Sequence, residues 1–240
     1  TVTGVQTCAL PILKKLSAIL LALSLLLMLA ACVPCEDDDP GAVSAKPVIY
    51  LYPESDAKPV VYLQPEAATE VTVRLDYDGE LTCTYPAYDD GWTVLAQPDG
   101  TLTDRNGQTY RYLYWEGITD TAYDFSAGFC VAGSNTAAFL EDALDRLGLN
   151  RTEANEFIVY WLPRMQENAY NLIAFQQEAY TERARLTITP EPDTVLRVFM
   201  AYQPLERAVE IAPQTLTAPE RTGFTVVEWG GAECGRSLTE

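Results

Sequence analysis

The sequence has no histidine among its 240 residues. That removes the Ser-His-Asp and Cys-His nucleophile systems and the usual histidine-ligated zinc sites. Positive charge is scarce as well: 16 Lys and Arg stand against 34 Asp and Glu, a formal net charge of −18. Such a surface repels phosphate backbones and anionic headgroups, so nucleic acid is excluded as a partner. No apolar run is long enough to cross a bilayer as a helix. The longest, Leu16 to Leu29, falls short of the roughly 20 residues that a membrane helix needs. A calcium loop is missing too. Asp76, Asp78, Asp89, Asp90, Asp99, Asp104 and Asn106 crowd the first half of the chain, yet none has the D-x-[DN]-x-[DN]-G spacing. They are the residue types that hairpin and Asx turns require. No metal and no other cofactor is expected.

What is present begins with segments that precede any fold. Val2 to Ile12, VTGVQTCALPI, resembles the translation of a sequencing adapter, so residues 1–12 are read as an artefact. Residues 13–31 carry Lys14 and Lys15, an apolar run and small residues ahead of Cys32, which is the pattern of a signal peptide. LAAC at Leu29 to Cys32 resembles the lipobox of bacterial lipoproteins, which implies cleavage before Cys32 and a diacylglycerol on its sulfur. The expectation is an extracytoplasmic protein anchored to the cell membrane by N-terminal lipidation, since stable anchoring takes two or more acyl chains. Residues 32–45 are acidic and poor in large apolar groups, and read as a solvated tether. Without Lys14 and Lys15, 14 basic residues remain against 34 acidic ones, so the mature net charge is −20.

Residues 46–232 have globular composition, enough for one core or two that pack together, and 233–240 form a tail. The globular part opens on a near-duplication: AKPVIYLYPE at 45–54 is followed by AKPVVYLQPE at 57–66, identical at eight of ten positions with a period of twelve. Prolines bracket five strand-like residues in each copy, which suits an edge or a first strand. The repeat reads as the structural entrance to the fold, with Tyr50 and Tyr52 as its candidates for ligand contact.

Up to Glu116, short runs of Val, Tyr, Thr and Trp alternate with Pro, Gly, Asp and Asn clusters, so 46–116 reads as β-rich. Asp78-Gly79 predicts a hairpin, with Val71, Val73, Leu75 and Tyr77 on one face and Leu81 and Cys83 beside them. Turns at Pro98-Asp99-Gly100 and Asn106-Gly107 lead into one long strand ending at Glu116. The whole is an antiparallel meander. From 117 to 232 the pattern is α+β. Phe139, Leu140, Ala143, Leu144 and Leu147 have helical spacing, with Ser134 or Asn135 as the cap and Gly148 as the stop. Asn150 and Glu153 fit a capping box for a second short helix. FIVYWLP, 157–163, reads as a central buried strand, and NLIAFQ, ARLTITP, TVLRVFMAYQPL, AVEIAPQ and GFTVVEWGG follow as further strand candidates. The fold class is α+β, with a β-rich meander, two helices and further strands in one compact unit.

KPVIYLYPE, PDGTLT, YLYWEG, FIVYWLP and RVFM occur in this order. Together they resemble an uncharacterised family of hypothetical proteins, many of them bacterial lipoproteins. The resemblance covers about residues 46–232. It implies a shared fold and carries no activity, ligand or catalytic residue with it. The family pattern has one KPVIYLYPE, and this chain departs from it by a second copy.

With Cys8 and the lipidated Cys32 set aside, Cys35, Cys83, Cys130 and Cys234 remain. In an oxidising compartment these predict disulfides. Of the three possible pairings the favoured one joins Cys83 to Cys130, both within the globular part. Alternation along TYRYLYWEG puts Tyr110, Tyr112, Tyr114 and Glu116 on one strand face and Trp115 on the other. FTVVEWGG likewise separates Glu228 from Trp229. Tyr112, Tyr114, Trp115 and Trp229 are therefore the candidate ligand-binding residues, since aromatic faces stack on sugar rings. Glu116 and Glu228 are the only catalytic candidates, as an acid–base pair of the glycosidase kind should the two strand ends meet. Three functional readings result: a non-catalytic binding domain for a glycan, a peptide or a partner protein; a carboxylate-based hydrolase; and a structural envelope protein.

Overall fold

The computed structural model describes residues 55–120 and 122–235. The adapter-like stretch, the segments read as signal peptide and tether, Cys32, Cys35 and the first repeat copy lie outside the described residues. In chain order the first strands are β1 (Ser55–Ala57), β2 (Val60–Gln64), β3 (Thr69–Tyr77), β4 (Glu80–Tyr85) and β5 (Trp92–Ala96). Next come β6 (Leu102–Thr103), β7 (Thr109–Tyr110), β8 (Leu113–Thr119) and β9 (Phe129–Ala132), then helices α1 (Thr136–Arg146) and α2 (Arg151–Met165). β10 (Tyr170–Gln176), the short helix α3 (Glu178–Arg183), β11 (Ala184–Thr189), β12 (Thr194–Leu205) and β13 (Thr225–Glu233) complete the chain. The fold is α+β.

Strand burial explains the layering. β13 is buried without interruption from Thr225 to Ala232, and β2 is buried on both faces. Strands of that kind belong inside a sheet covered on both sides. They lie at the centre of an eight-stranded sheet ordered β8, β2, β13, β12, β10, β9, with β1 also on β8. Tyr114 of β8 pairs with both Val60 and Tyr85, so β4 flanks β8 on the side away from β2. β12 and β13 are parallel, whereas β2 and β10 pair antiparallel to them. A second sheet runs β11, β3, β5, β6, β7.

Alternate residues of the central strands feed two cores. Val60, Tyr62, Val198, Met200, Val227 and Trp229 pack with Leu144, Phe157 and Trp161 of the helix pair. Val61, Leu63, Leu113, Trp115, Phe199 and Val226 pack with Val71, Val73, Trp92 and Val94 of the second sheet. Each fully buried side chain of this size stabilises the fold by about 1.5–3 kcal/mol relative to exposure.

Several expectations need correction. Asp78-Gly79 does not make a hairpin: β3 pairs with β5 and β11, β4 pairs with β8, and the turn carries the chain from one sheet to the other. Gly79 is there because a Cβ would come within 2.3 Å of the Ile118 carbonyl oxygen. Leu81 still reaches the inter-sheet core, but Cys83 is exposed. The long strand ending at Glu116 divides at Arg111 and Tyr112, leaving β7 in one sheet and β8 in the other. FIVYWLP is helix, not strand, and its Val159 is 66% exposed. β2 is central rather than an edge strand. AVEIAPQ forms no strand beyond an isolated bridge at Ala212. The Gln214 side chain instead imitates a strand there, exchanging hydrogen bonds with the Phe175 N–H (2.8 Å) and C=O (2.9 Å). α1 and its Gly148 stop stand where the periodicity puts them, although Asn135 caps without a side-chain hydrogen bond.

Cys83 and Cys130 are free thiols. Cys83 lies on β4 and Cys130 on β9, the two opposite edges of the eight-stranded sheet. Six inter-strand steps of about 4.8 Å put them roughly 25–30 Å apart. A disulfide needs Cα atoms within about 7 Å, so the predicted pairing is excluded by topology.

Candidate functional site

The site is built where α2 crosses the β8 side of the central sheet. α2 begins with a complete capping box: the Asn150 Oδ1 accepts from the N–H groups of Thr152 (2.9 Å) and Glu153 (3.0 Å), and Glu153 Oε2 accepts from the Asn150 N–H (2.8 Å). Phe157, Trp161 and Met165, spaced by four, are buried against the sheet. The residues one position earlier, Glu156, Tyr160 and Arg164, therefore form the adjacent face of the helix, which borders the buried stripe.

That face and the sheet enclose a groove of about 630 Å³. Val60, Tyr112, Tyr114 and Trp229 come from the sheet side, and Glu156, Val159, Tyr160 and Arg164 from α2. Lys58 and Tyr85 complete the lining. The tyrosine stripe is thus divided: Tyr112 and Tyr114 pack on the helix side of the sheet, and Tyr110 packs with the inter-sheet core. Trp115 takes no part, being fully buried between the sheets with its ring edge-on to Tyr77 at 4.8 Å. Trp229 contributes only a margin of its ring, at 5% exposure.

Charges in and beside the groove are paired. Lys58 Nζ donates to Glu116 Oε1 at 2.5 Å. Burial raises the Glu116 pKa, but the hydrogen bond from Lys58, that from the Tyr114 hydroxyl and the Lys58 charge outweigh it, so Glu116 is held below the ordinary carboxylate value. Tyr114 is pushed up by burial and then by its hydrogen bond and charge interaction with Glu116. The Tyr62 hydroxyl donates to Glu156, and burial first, then this hydrogen bond and the Glu156 charge, raise its pKa. Tyr62 meets Tyr112 edge-to-face at 5.5 Å. The Arg164 guanidinium lies 4.1 Å from the centre of the Tyr160 ring. Aromatic surfaces and fixed hydrogen-bonding groups are therefore interleaved along one cleft.

Glu228 is elsewhere. It shares the face of Val226, is 1% exposed, and pairs with Arg197 at 2.5 Å between the sheets. Glu116 shares the face of Tyr114 on the helix side, so the two carboxylates point to opposite faces of one sheet. This corrects the expectation of a shared cleft, and no acid–base pair can be built from them. The aspartates of the first half serve turns: Asp99 Oδ1 accepts from Thr101 N–H at 2.9 Å, and Asp104 Oδ1 accepts from Asn106 N–H at 2.8 Å. A second cavity, of about 570 Å³, lies over β5 and the turn at Asp104 and is lined mainly by polar residues such as Asp89, Asp90 and Arg105. Among the described residues no group of three His, Cys, Asp or Glu is placed to hold a metal ion, and no helix is long and apolar enough to cross a membrane.

Lys58, Tyr85, Glu156, Val159, Tyr160 and Arg164 escaped the sequence reading. The four on α2 carried a partial signal in the Asn150–Glu153 capping box, which starts the helix; the four-residue spacing of Phe157, Trp161 and Met165 fits one face of a helix or of a strand alike.

Fold and site together define an α+β domain in which a helix pair and a second sheet cover the two faces of a central mixed sheet, with an aromatic groove between helix and sheet. The chain belongs to the family of a Butyrivibrio fibrisolvens protein described as "Uncharacterized protein in bglA 3'region". The two are 40% identical over 95 residues, covering 38% of this chain and 86% of that protein. The chain matches no protein-family profile, and no solved structure matches it.

Proposed function

We propose that the protein is an extracytoplasmic lipoprotein, anchored through Cys32, whose α+β domain is a non-catalytic module that binds a glycan in the groove between α2 and β8. The observation that carries this reading is the rim. Tyr85 and Val159, 62% and 66% exposed, are the most exposed large hydrophobic residues described, and both line this groove. Exposed apolar surface concentrated on a concave site marks a ligand contact. Half-buried tyrosine rings suit the apolar faces of pyranoses, while the Lys58–Glu116 pair and Glu156 supply donors and acceptors for ring hydroxyls. The net negative charge of the chain favours a neutral saccharide over a polyanionic one.

The experiment is a screen of neutral and acidic oligosaccharides and of peptides against the soluble domain, followed by titration calorimetry on Tyr112→Ala and Tyr160→Ala. Binding of neutral oligosaccharides, weakened tenfold or more by either substitution with the fold intact, is expected. Peptide binding alone, or a glycan unaffected by both substitutions, overturns the reading.

A further inference from the structure

The slot between β8 and β13 is filled by the second repeat copy, and its demands are matched by the first. Lys58 uses its ammonium on Glu116 (2.5 Å) and its N–H on the Gly231 carbonyl (3.3 Å). The Pro59 carbonyl accepts from the Trp115 N–H at 3.2 Å. Pro59 lies so close to Gly230 that a Cβ there would come within 2.8 Å of its Cα. Val60 and Tyr62 enter the helix-side core, Val61 and Leu63 the inter-sheet core, and the Tyr62 hydroxyl donates to Glu156. The first copy offers Lys46, Pro47, Val48, Tyr50 and Leu51 at the same spacing, with Ile49 for Val61 and Tyr52 for Gln64 as its two differences.

We infer that the two copies compete for this one slot, so that the domain exchanges its β2 strand within the chain by a slip of twelve residues. A slip of an even number of residues keeps every side chain on its own face of the sheet. No core residue is lost. Two features set the balance. Four residues, 65–68, join β2 to β3, and occupancy by the first copy lengthens this connection by the twelve-residue period. Loop-closure entropy then disfavours the slipped state by about eightfold. Ile49 also adds a methylene at a site where Val61 is 0% exposed, and overpacking opposes it further. The resident strand is therefore the second copy, with the slipped form at roughly one molecule in ten or fewer. Slipping shortens the chain ahead of the domain by twelve residues, up to ~40 Å of reach when extended. A tether of two lengths results.

The test places Val61→Asp in the full chain and in a chain lacking 45–56, read by thermal unfolding and by amide hydrogen exchange. In the full chain the domain folds, and exchange protection moves from 60–64 to 48–52. In the shortened chain the same substitution abolishes cooperative unfolding. Deletion of 57–68, which leaves the first copy with a four-residue connection, gives a folded domain. The inference is overturned if the full-length Val61→Asp chain unfolds like the shortened one, if it folds with protection still on 60–64, or if the 57–68 deletion fails to fold.

Discussion

Glu228 sits on the strand end that drew attention as a catalytic candidate, and a single substitution separates that role from a structural one. Arg197 and Glu228 form a 2.5 Å ion pair with side chains 11% and 1% exposed, and the guanidinium lies 4.8 Å from the centre of the Tyr180 ring. The charges of Glu228 and Tyr180 and their hydrogen bonds outweigh desolvation and hold the Arg197 pKa above its usual value. Arg197 Nη2 and Glu228 Oε1 have no well-formed hydrogen bond. The pair is thus incompletely satisfied, and its net worth against an apolar core is small. Breaking it is a different matter. Glu228→Gln keeps the shape but leaves a guanidinium buried without its counter-charge, at a cost of about 3–5 kcal/mol. For a domain of this size that is a fall in Tm of roughly 10 °C. Arg197→Met with Glu228→Leu removes both charges and leaves an apolar side chain on the Tyr180 ring, so stability returns to within about 1.5 kcal/mol of the wild type. Urea titration followed by tryptophan fluorescence, with the m-value checked for constancy, measures Glu228→Gln and, with the Arg197→Met and Glu228→Leu singles added, all four corners of the Arg197→Met/Glu228→Leu cycle. A Glu228→Gln variant within about 1 kcal/mol of wild type, or a double variant no more stable than the singles, refutes the reasoning. Below its unfolding temperature Glu228→Gln should bind ligand normally, because the side chain faces away from the groove.

The remaining predictions concern the cap, the acid limb and the thiols. Asn150→Ala removes the acceptor for two N–H groups at the start of α2 and should cost about 1 kcal/mol, read by the same urea titration. Glu116 has a folded pKa below its ordinary 4.5, so its contribution to stability is complete above that value and is lost as the pH falls through the lower folded value. Stability measured from pH 6 to pH 3 should show this acid limb, and Lys58→Met should flatten it. Cys83 should react with a thiol reagent in the native state faster than half-buried Cys130, and peptide mapping after oxidation should recover no Cys83–Cys130 cross-link.

Local signals in the sequence went as far as local physics goes. The stop at Gly148, the Asn150–Glu153 box and the turns at Asp99 and Asn106 depend on groups within a few residues of one another, and all are present. What the sequence leaves open is which sheet a strand joins. Asp78-Gly79 looks like a hairpin because two alternating runs flank it, yet Val71, Val73 and Leu75 bury into the inter-sheet core while β4 adds to the far edge of β8. The competing term is long-range: β3 gains β5 on one side and β11, more than a hundred residues away, on the other. The Cys83–Cys130 pairing fails for the same reason, since sequence spacing contains no sheet order.

FIVYWLP shows the converse, a local signal read with the wrong period. Its β-branched and aromatic content favours strand, and Pro163 looks like a terminator. Two stronger constraints prevail. The capping box starts a helix at Asn150, and a strand would put Val159 on the same face as Phe157 and Trp161, whereas the helical period buries Phe157, Trp161 and Met165 and leaves Val159 66% exposed. Pro163 is tolerated in the last turn. This choice of helix also creates the site, because a strand would have hidden Tyr160 and Val159 within a sheet, whereas the helix turns Glu156, Tyr160 and Arg164 toward Tyr112 and Tyr114. The aromatic half of the groove on β8 was legible as a period-two stripe. Its other half became visible only once the period of its neighbour was known, and neither half alone makes a cleft.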